Sequence, residues 1–276
     1  MRIGKKDFDL NNQCYVMGIL NVTPDSFSDG GMWNDMDAAL RRTEEMIAQG
    51  CDILDIGGES TRPGHQQISE EEEAERVVPV IEAVKEQFDI PVSLDTYKPM
   101  VAEAGVSAGI DMINDIWGCR YETSCQSGKS MADVMAKAGV PVVLMHNRTS
   151  TDYEDYPEQV MTELEESVSI AIAAGVKKEN IILDPGIGFG KTYEQNLILM
   201  NHLESLNGLG LPWLLGTSRK SMIGLTLDLP ADQRLEGTLA TTVIGMMKGC
   251  SVVRVHDIKE NARTIKMVKA IIDSGK

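Results

Sequence analysis

Carboxylate and amide side chains follow three apolar runs of this chain, at Asp95, Asn114 and Asp184. Such groups match the edge of a flat heterocycle that presents several N–H donors and a carbonyl. A carboxylate that accepts two parallel N–H bonds makes a charge-assisted, bidentate contact, and an asparagine amide both donates and accepts. One Asp before a helix is more often an N-cap than a catalytic group. The three residues together favour a pocket for a nitrogen heterocycle.

A second group consists of Asn21, Arg254 and His256, which also stand at the ends of apolar runs. Strand alternation places Arg254 and His256 on one side and the intervening valines on the other. Cationic groups inside a sheet cost free energy unless an anion meets them. This group suits a phosphate or diphosphate, held with backbone N–H groups at helix starts and with or without a metal ion. The seventh apolar run leads through Ser218 to Lys220, which adds a further cation.

Eight runs rich in Val, Ile, Leu and Met position these residues, and a helix-like segment follows each of them. This composition is typical of strands buried on both faces. The predicted strands are 15–21, 52–57, 91–95, 111–115, 141–146, 180–184, 212–217 and 251–256. The predicted helices are 36–49, 70–88, 98–108, 130–139, 157–174, 193–206, 233–248 and 259–273. The alternation predicts a single (β/α)8 TIM barrel over residues 1–276, with the active site at the C-terminal ends of the strands. A doubly wound open sheet is the alternative.

The connections between these elements fall into two kinds. The strand-to-helix segments 22–35, 58–69 and 116–129 are long, and long loops on the catalytic face of a barrel are candidate lids. The helix-to-strand connections are short, and the predicted glycine C-caps are Gly50, Gly109, Gly139 and Gly175.

The charge balance narrows the classes of partner. The chain has 26 Lys and Arg against 42 Asp and Glu, a formal net charge of −16. Diffuse negative charge disfavours nucleic acid and anionic membranes, and no run approaches the roughly 20 apolar residues of a membrane span. Five cysteines without a regular framework suit a reducing cytoplasm. An anionic substrate therefore requires a local basic site, for which Arg62, Lys220 and Arg254 are candidates.

The glycine-rich segment 184–192 resembles a phosphate-binding P-loop only superficially. The first glycine that a P-loop requires falls at Pro185, so the spacing to Gly190 and Lys191 is one residue short, and an ATP site is rejected. The glycines instead let the backbone approach a flat ligand closely. Phe189 stacks on that ligand or packs within the loop, and the sequence leaves both alternatives open.

Several motifs together resemble the dihydropteroate synthases, and they span essentially the whole chain. They are MGILNVTPDSFSDGG (17–31), DIGGESTRPG (55–64), SLDTYKP (93–99), IND (113–115), LMHNR (144–148), DPGIGFGKT (184–192), GTSRKSMIG (216–224) and RVHD (254–257). The resemblance implies condensation of 6-hydroxymethyl-7,8-dihydropterin diphosphate with 4-aminobenzoate to give 7,8-dihydropteroate and diphosphate. It also implies a homodimer, and it makes the chain a candidate target of sulfonamides, which are mimics of 4-aminobenzoate in this family.

The same resemblance implies roles for individual residues. The pterin ring would contact Asp95, Asn114, Met145, Asp184, Phe189 and Lys220. The diphosphate would contact Asn21, Arg254 and His256, with Asn21 helping to place Mg²⁺. The 4-aminobenzoate would contact Phe27, Thr61, Arg62, Pro63 and Ser218. Asp25 and Asp29 order the first loop around Mg²⁺ or simply cap a turn.

The expected mechanism is dissociative. Diphosphate leaves once Mg²⁺, Arg254 and His256 neutralise its growing negative charge. The methylene left behind carries positive charge, which spreads into the dihydropterin and is favoured by an ionised Asp184. The arylamine then attacks, and no covalent enzyme intermediate is required. Asp184, Lys220, Arg254 and His256 are therefore the expected catalytic residues.

Two stretches depart from the commoner pattern of this family: His65 replaces a small residue, and 118–130 is a longer connection that contains Cys119 and Cys125. Two other functions are weighed against the synthase. A pterin-dependent methyltransferase module would share the barrel and the pterin contacts but does not explain the SRK and RVH motifs. A non-catalytic pterin-binding homologue would be favoured by loss of Asn21, Lys220, Arg254 or His256, yet all four are present.

Overall fold

The computed structural model describes residues 1–22, 32–59, 67–121 and 128–274. Ten strands lie in these ranges: β1 (Arg2–Ile3), β2 (Lys6–Asp7), β3 (Tyr15–Asn21), β4 (Ile53–Gly57), β5 (Val92–Asp95), β6 (Met112–Asp115), β7 (Val142–Met145), β8 (Ile181–Asp184), β9 (Leu214–Leu215) and β10 (Val252–Val255). All eight predicted strands are present, and most are one or two residues shorter than predicted.

The eight strands from β3 to β10 form one parallel sheet whose order is β8-β7-β6-β5-β4-β3-β10-β9. Its two outer strands meet each other, because Leu183 of β8 forms a parallel bridge with Trp213 just before β9. The Leu183 N–H also donates to the carbonyl oxygen of Pro212 at 2.9 Å. The sheet thus curls into the predicted TIM barrel, and the doubly wound alternative is excluded. The prediction of a single domain stays a prediction.

The lower part of the barrel interior is apolar and is covered from below. Its buried cluster consists of Met17, Ile53, Met112, Val143, Ile182, Leu214 and Val252 from the strands, with Ile3, Phe8 and Leu10 from the N-terminal segment. The antiparallel hairpin of β1 and β2 carries that segment across the N-terminal end of the barrel. Polar side chains are therefore confined to the middle and upper interior, where the strands end.

Nine α-helices surround the sheet within the described ranges. They are α1 (Met32–Gln49), α2 (Glu70–Gln87), α3 (Pro99–Ala108), α4 (Met131–Ala138), α5 (Glu158–Ala174), α6 (Tyr193–Asn201), α7 (Ser221–Leu227), α8 (Leu235–Met247) and α9 (Ile258–Asp273). All four predicted C-cap glycines have positive φ, which confirms that interpretation. No helix in the described part of the chain is long and apolar enough to cross a membrane.

The prediction was wrong at two helices. The predicted helix 193–206 ends at Asn201, and a 3₁₀ helix (Leu203–Leu209) follows. There the Asn207 side chain donates to Lys248 O and accepts from Trp213 Nε1, each at 2.9 Å. The contact with Lys248 joins residues 41 apart in sequence, and no local pattern predicts it. The short helix α7 was also missed, and it begins directly after Lys220.

Candidate active site

A cavity of about 470 Å³ opens at the C-terminal ends of the strands. Ten of the predicted site residues line it: Asn21, Asp95, Asn114, Met145, Asp184, Phe189, Ser218, Lys220, Arg254 and His256. They come from seven different strands and the segments that follow them. The barrel therefore brings the predicted pterin residues and the predicted anion residues together in one cavity.

Arg254 lies at the centre of this arrangement and contacts two buried carboxylates. Its Nε donates to Asp55 Oδ2 and its NH2 donates to Asp95 Oδ2, both at 2.5 Å. Asn114 Nδ2 also donates to Asp55 Oδ2 at 3.2 Å. The two carboxylates raise the pKa of Arg254 further, so its guanidinium is a permanent cation. The residue predicted to bind diphosphate thus also contacts Asp95, predicted to bind the pterin edge.

Asp55 was missed as a site residue by the sequence reasoning. It is fully buried within β4, between Leu54 and Ile56. A single carboxylate inside an otherwise apolar run was the available signal, because a buried charge requires a partner. The strand-end criterion overlooked it, since Asp55 stands two residues before the end of β4.

Asp95 keeps one carboxylate oxygen for a ligand. Its Oδ2 accepts from Arg254, whereas its buried Oδ1 has no hydrogen-bond partner among the described residues. Burial raises the pKa of Asp95 to about 7, although the Arg254 charge opposes this effect. An orphaned acceptor at the cavity wall is costly unless a donor reaches it. An N–H group on a heterocycle would satisfy that acceptor.

Asp184 and Lys220 both line the cavity. Asp184 Oδ1 accepts from the Gly186 N–H at 2.7 Å, and burial raises its pKa against the nearby Lys220 charge. Lys220 Nζ donates to Ile187 O at 2.5 Å and lies 4.5 Å from the centroid of the Phe189 ring. Burial lowers the pKa of Lys220 to about 8. A cation and a carboxylate thus flank the space beside Phe189.

One side of the cavity is apolar. Met145 and Ile116 are buried in a small cluster with Tyr97, and Trp117, Tyr121 and Phe189 pack against it. Tyr97 and Tyr121 meet edge to face, with ring centroids 4.5 Å apart. Phe189 lines the cavity and packs against this cluster, and its stacking on a ligand stays a prediction.

Ser218 and His256 form a pair that the sequence did not predict. Ser218 Oγ lies 3.0 Å from His256 Nδ1 and accepts from the His256 N–H at 3.2 Å. The neighbouring Arg219 pairs with Asp257, with 3.0 Å from Nε to Oδ2. The residue predicted for the 4-aminobenzoate carboxylate therefore contacts the residue predicted for the diphosphate. The carboxylate of 4-aminobenzoate and the diphosphate would therefore lie on neighbouring side chains, Ser218 and His256.

A buried ion cluster ties together the two ends of the segment between β4 and α2. Lys98 Nζ donates to Glu59 Oε2 at 2.6 Å and to Ile68 O at 2.8 Å, and it lies 2.7 Å from Glu73 Oε2. Glu59 Oε2 also accepts from the Ile68 N–H at 3.0 Å, and its Oε1 accepts from the Tyr97 hydroxyl at 2.7 Å. The lysine thus fixes the base of this segment next to the cavity.

Some predicted site residues lie outside the described residues. They are Asp25, Phe27 and Asp29 of the first segment and Thr61, Arg62 and Pro63 of the second; His65, a departure from the family pattern, also lies outside. Cys125 lies outside as well. Their assignments stay predictions.

The predicted Mg²⁺ site depends on the oxygen donors that the protein offers near the cavity. No group of three or more His, Cys, Asp or Glu residues in the described ranges could hold a metal ion. Mg²⁺, however, usually keeps several waters and binds through one or two protein oxygens and substrate phosphates. Asn21 offers such an oxygen and lines the same cavity as Arg254 and His256. The donor set fits a Mg²⁺ ion that arrives with a diphosphate.

The chain is similar to known proteins over nearly its whole length. A family model described as pterin binding enzyme matches residues 17–256. The dihydropteroate synthase of Clostridium beijerinckii is 59% identical over 99% of each chain. The crystal structure of the Clostridium difficile dihydropteroate synthase in the presence of pteroic acid is 49% identical, with a TM-score of 0.91 over 96% of this chain and 99% of that one.

A second solved structure is similar to this chain over nearly the same length. The Xanthomonas albilineans dihydropteroate synthase with 4-aminobenzoic acid is 42% identical, with a TM-score of 0.88 over 95% of this chain and 94% of that one. Such identity over whole chains, together with the barrel and its cavity, is decisive for the family. The chain belongs to the pterin-binding enzymes and, among them, to the dihydropteroate synthases.

Proposed function

We propose that this chain joins 6-hydroxymethyl-7,8-dihydropterin diphosphate to 4-aminobenzoate and releases 7,8-dihydropteroate and diphosphate. One observation carries the proposal: a single cavity is lined by the carboxylates of Asp95 and Asp184, of which Asp95 has an unpaired Oδ1, and by Arg254, Lys220 and His256. A nitrogen heterocycle that carries an anionic leaving group needs both kinds of contact. Relatives solved with pteroic acid and with 4-aminobenzoic acid support the same substrates.

The reaction would proceed by charge separation. The C–O bond between the pterin methylene and the diphosphate breaks, and its electron pair leaves with the diphosphate. Arg254 and His256, both held at the cavity, would stabilise this negative charge as it develops. The methylene cation delocalises into the dihydropterin ring, and ionised Asp184 favours it. The arylamine nitrogen then attacks the methylene carbon and loses a proton. A bound Mg²⁺, held by Asn21, would supply further positive charge to the diphosphate.

Removing the Arg254 side chain tests the anion role. We expect Arg254→Ala to lower kcat about a hundredfold, the scale for losing one charge-stabilising donor in a reaction. Pterin binding should weaken as well, because Asp55 and Asp95 lose their common counterion. Steady-state kinetics with both substrates would measure this, with the exposed Arg263→Ala as the matched control. Turnover equal to that of the parent enzyme would remove Arg254 from this role.

The raised pKa of Asp95 predicts a pH dependence of binding. Acidification below about 7 protonates Asp95 where an exposed Asp stays ionised, and a protonated carboxyl is a weaker acceptor. We therefore expect the affinity for 6-hydroxymethyl-7,8-dihydropterin to fall as the pH drops through this value. Calorimetric titration of this ligand avoids the titrating phosphates of the substrate. Asp95→Asn should abolish this pH dependence of the affinity. If the variant kept the same pH profile as the parent protein, the assignment to Asp95 would be contradicted.

Diphosphate release by the purified protein, with and without 4-aminobenzoate, tests the function as a whole. Release that depends on the arylamine and matches the dihydropteroate formed would establish the synthase activity. Pterin binding without this turnover would support a non-catalytic homologue. A folded protein that binds no pterin would contradict the roles of Asp95, Asn114 and Asp184.

We also propose that the chain forms a homodimer through the neighbouring helices α6, α7 and α8. These helices contact one another and carry exposed apolar side chains, which mark protein contacts when they cluster. The side chains are Leu197, Ile198, Leu225, Leu227, Ile244 and Met247.

Sedimentation velocity would test the dimer. We expect the parent chain to sediment as a dimer and Leu225→Lys combined with Met247→Lys to sediment as a monomer. The equally exposed Met267→Lys on α9 is the matched control and should stay dimeric. A monomeric parent chain, or a dimeric double variant, would contradict this surface.

A cytoplasmic location is part of the same proposal. Four cysteines, Cys14, Cys51, Cys119 and Cys250, are free thiols in the described residues. Thiols in this state suit a reducing compartment.

A further inference from the structure

Lys191 is a buried cation that the proposed reaction does not use. Lys191 is only 8% exposed. Its ammonium group has three hydrogen-bond partners. Nζ donates to Gly186 O and to Phe189 O at 3.0 Å each, and it lies 2.8 Å from His146 Nδ1. An ammonium has three N–H donors, so these contacts satisfy all of them. Lys191 therefore holds two carbonyls of the segment that follows β8.

The contacts of His146 fix its protonation state. Its Nε2 lies 3.1 Å from Glu163 Oε2 on α5, and burial lowers the pKa of His146 to about 4. The imidazole is therefore neutral, with the proton on Nε2 donated to Glu163 and with Nδ1 accepting from Lys191. Glu163 is ionised, since its pKa falls to about 2 beside its hydrogen-bond donors, among them Gln159 and Arg120. A continuous hydrogen-bonded row thus runs from α5 to the cavity wall.

The held segment contacts one cavity residue, Asp184, and contains another, Phe189. The Gly186 N–H donates to Asp184 Oδ1 at 2.7 Å, and Phe189 lines the cavity. Gly186 has a φ of 68°, and a Cβ there would lie 1.9 Å from His146 O. Position 186 has no room for a side chain, because the carbonyl oxygen of His146, directly after β7, already occupies that space. The ammonium of Lys191 anchors the segment instead.

Lys191 also acts on Asp184 through charge. The ammonium favours the ionised form of Asp184, against the burial that raises its pKa. Burial lowers the pKa of Lys191 to about 7, and the nearby charges of Asp184, Lys220, Glu163 and Arg148 act on it in both directions. The three acceptors around Nζ match the three donors of its protonated form. Lys220 and Lys191 thus both supply positive charge to Asp184, but only Lys220 lines the cavity.

We propose that Lys191 is a positioning residue of the pterin site, which sets the place of Asp184 and Phe189 by holding the carbonyls of Gly186 and Phe189. This inference rests on the proposed function, since it names the pterin ring as the ligand of that wall. It predicts that Lys191 affects recognition of the heterocycle and leaves the diphosphate contacts of Arg254 and His256 intact.

Two binding titrations on Lys191→Met test the proposal. Met keeps a similar length but removes the charge and the three hydrogen bonds. We expect the Kd for 6-hydroxymethyl-7,8-dihydropterin to rise at least about tenfold, the scale of losing hydrogen bonds to a charged group. The Kd for inorganic diphosphate should stay within about twofold, as for a distant substitution. In turnover, the KM for the pterin diphosphate should rise while that for 4-aminobenzoate does not. The exposed Lys177→Met is the matched control.

A second pair of variants keeps the test decisive if Lys191→Met does not fold. His146→Asn places an amide oxygen near the position of Nδ1 and retains an acceptor for Lys191, whereas His146→Leu removes it. We expect the pterin Kd of the Asn variant to lie closer to that of the parent than the Kd of the Leu variant does. Equal losses in both variants, parent-like pterin affinity in folded Lys191→Met, or equal loss of pterin and diphosphate affinity would each overturn the proposal. If the parent protein itself binds no pterin, the proposed function fails instead.

Discussion

Asp184→Asn is expected to weaken binding of the dihydropterin by roughly 2–5 kcal/mol, the scale for breaking a buried, charged hydrogen-bond pair. The asparagine can keep its Oδ1 contact with the Gly186 N–H, so the wall of the cavity stays in place. Its Nδ2 then presents donors where the carboxylate presented an acceptor. The ring donors that Asp184 would accept from therefore meet other donors, and the charge that favours the methylene cation is lost.

Calorimetric titration with 6-hydroxymethyl-7,8-dihydropterin measures this loss directly, without turnover. Asp7→Asn is the matched control, because Asp7 is exposed on β2 at the opposite end of the barrel. Urea unfolding of both variants would show whether the fold is retained. Pterin affinity equal to that of the parent enzyme would remove Asp184 from the pterin site, whatever the effect on turnover.

Lys98→Met is expected to lower the free energy of unfolding by roughly 3–5 kcal/mol, because it leaves buried carboxylates without their cation. Glu59 and Glu73 are 7% and 1% exposed, and both lie beside the Lys98 ammonium. Lys98 and Tyr97 keep the pKa of Glu59 low, whereas burial raises that of Glu73. Without Lys98, two neighbouring carboxylates must bind a proton or repel each other.

Urea denaturation compares this variant with Lys137→Met, which replaces an exposed lysine on α4. Adding Glu59→Gln to Lys98→Met removes one of the stranded charges, so the double variant should be more stable than Lys98→Met alone. A loss below about 1 kcal/mol, as for an exposed ion pair, would contradict the view that this cluster is a buried anchor.

The barrel was predictable because its signals are local. Strands buried on both faces are continuous apolar runs, and helices of regular length separate them. The cavity residues followed from the same pattern, since Asp95, Asn114 and Asp184 each end a strand and the strand ends of a barrel meet at one rim. The hairpin below the barrel gave little signal, because its two strands contain two residues each.

The partners of these residues were not predictable, because they depend on register between strands distant in sequence. Arg254 reaches Asp55 only because β10 pairs with β3 and β3 with β4. Lys191 lies in the segment 184–192, which is not a P-loop, and its contacts with Gly186 and Phe189 are within that segment. Its partner His146 is 45 residues away in sequence. Residue type at a strand end therefore predicts membership of the site, whereas hydrogen-bonded partners require the fold.

The hairpin beneath the barrel has a consequence for the sequence of binding events. Ile3, Phe8 and Leu10 cover the apolar interior below the cavity, so a ligand within the described residues enters and leaves through the rim. If the pterin occupies the deeper position beside Asp95 and Asn114, it must bind before the arylamine does. The joined product must then depart before a second pterin can enter. Because one end of the barrel is covered, the two ligands would bind in a fixed order.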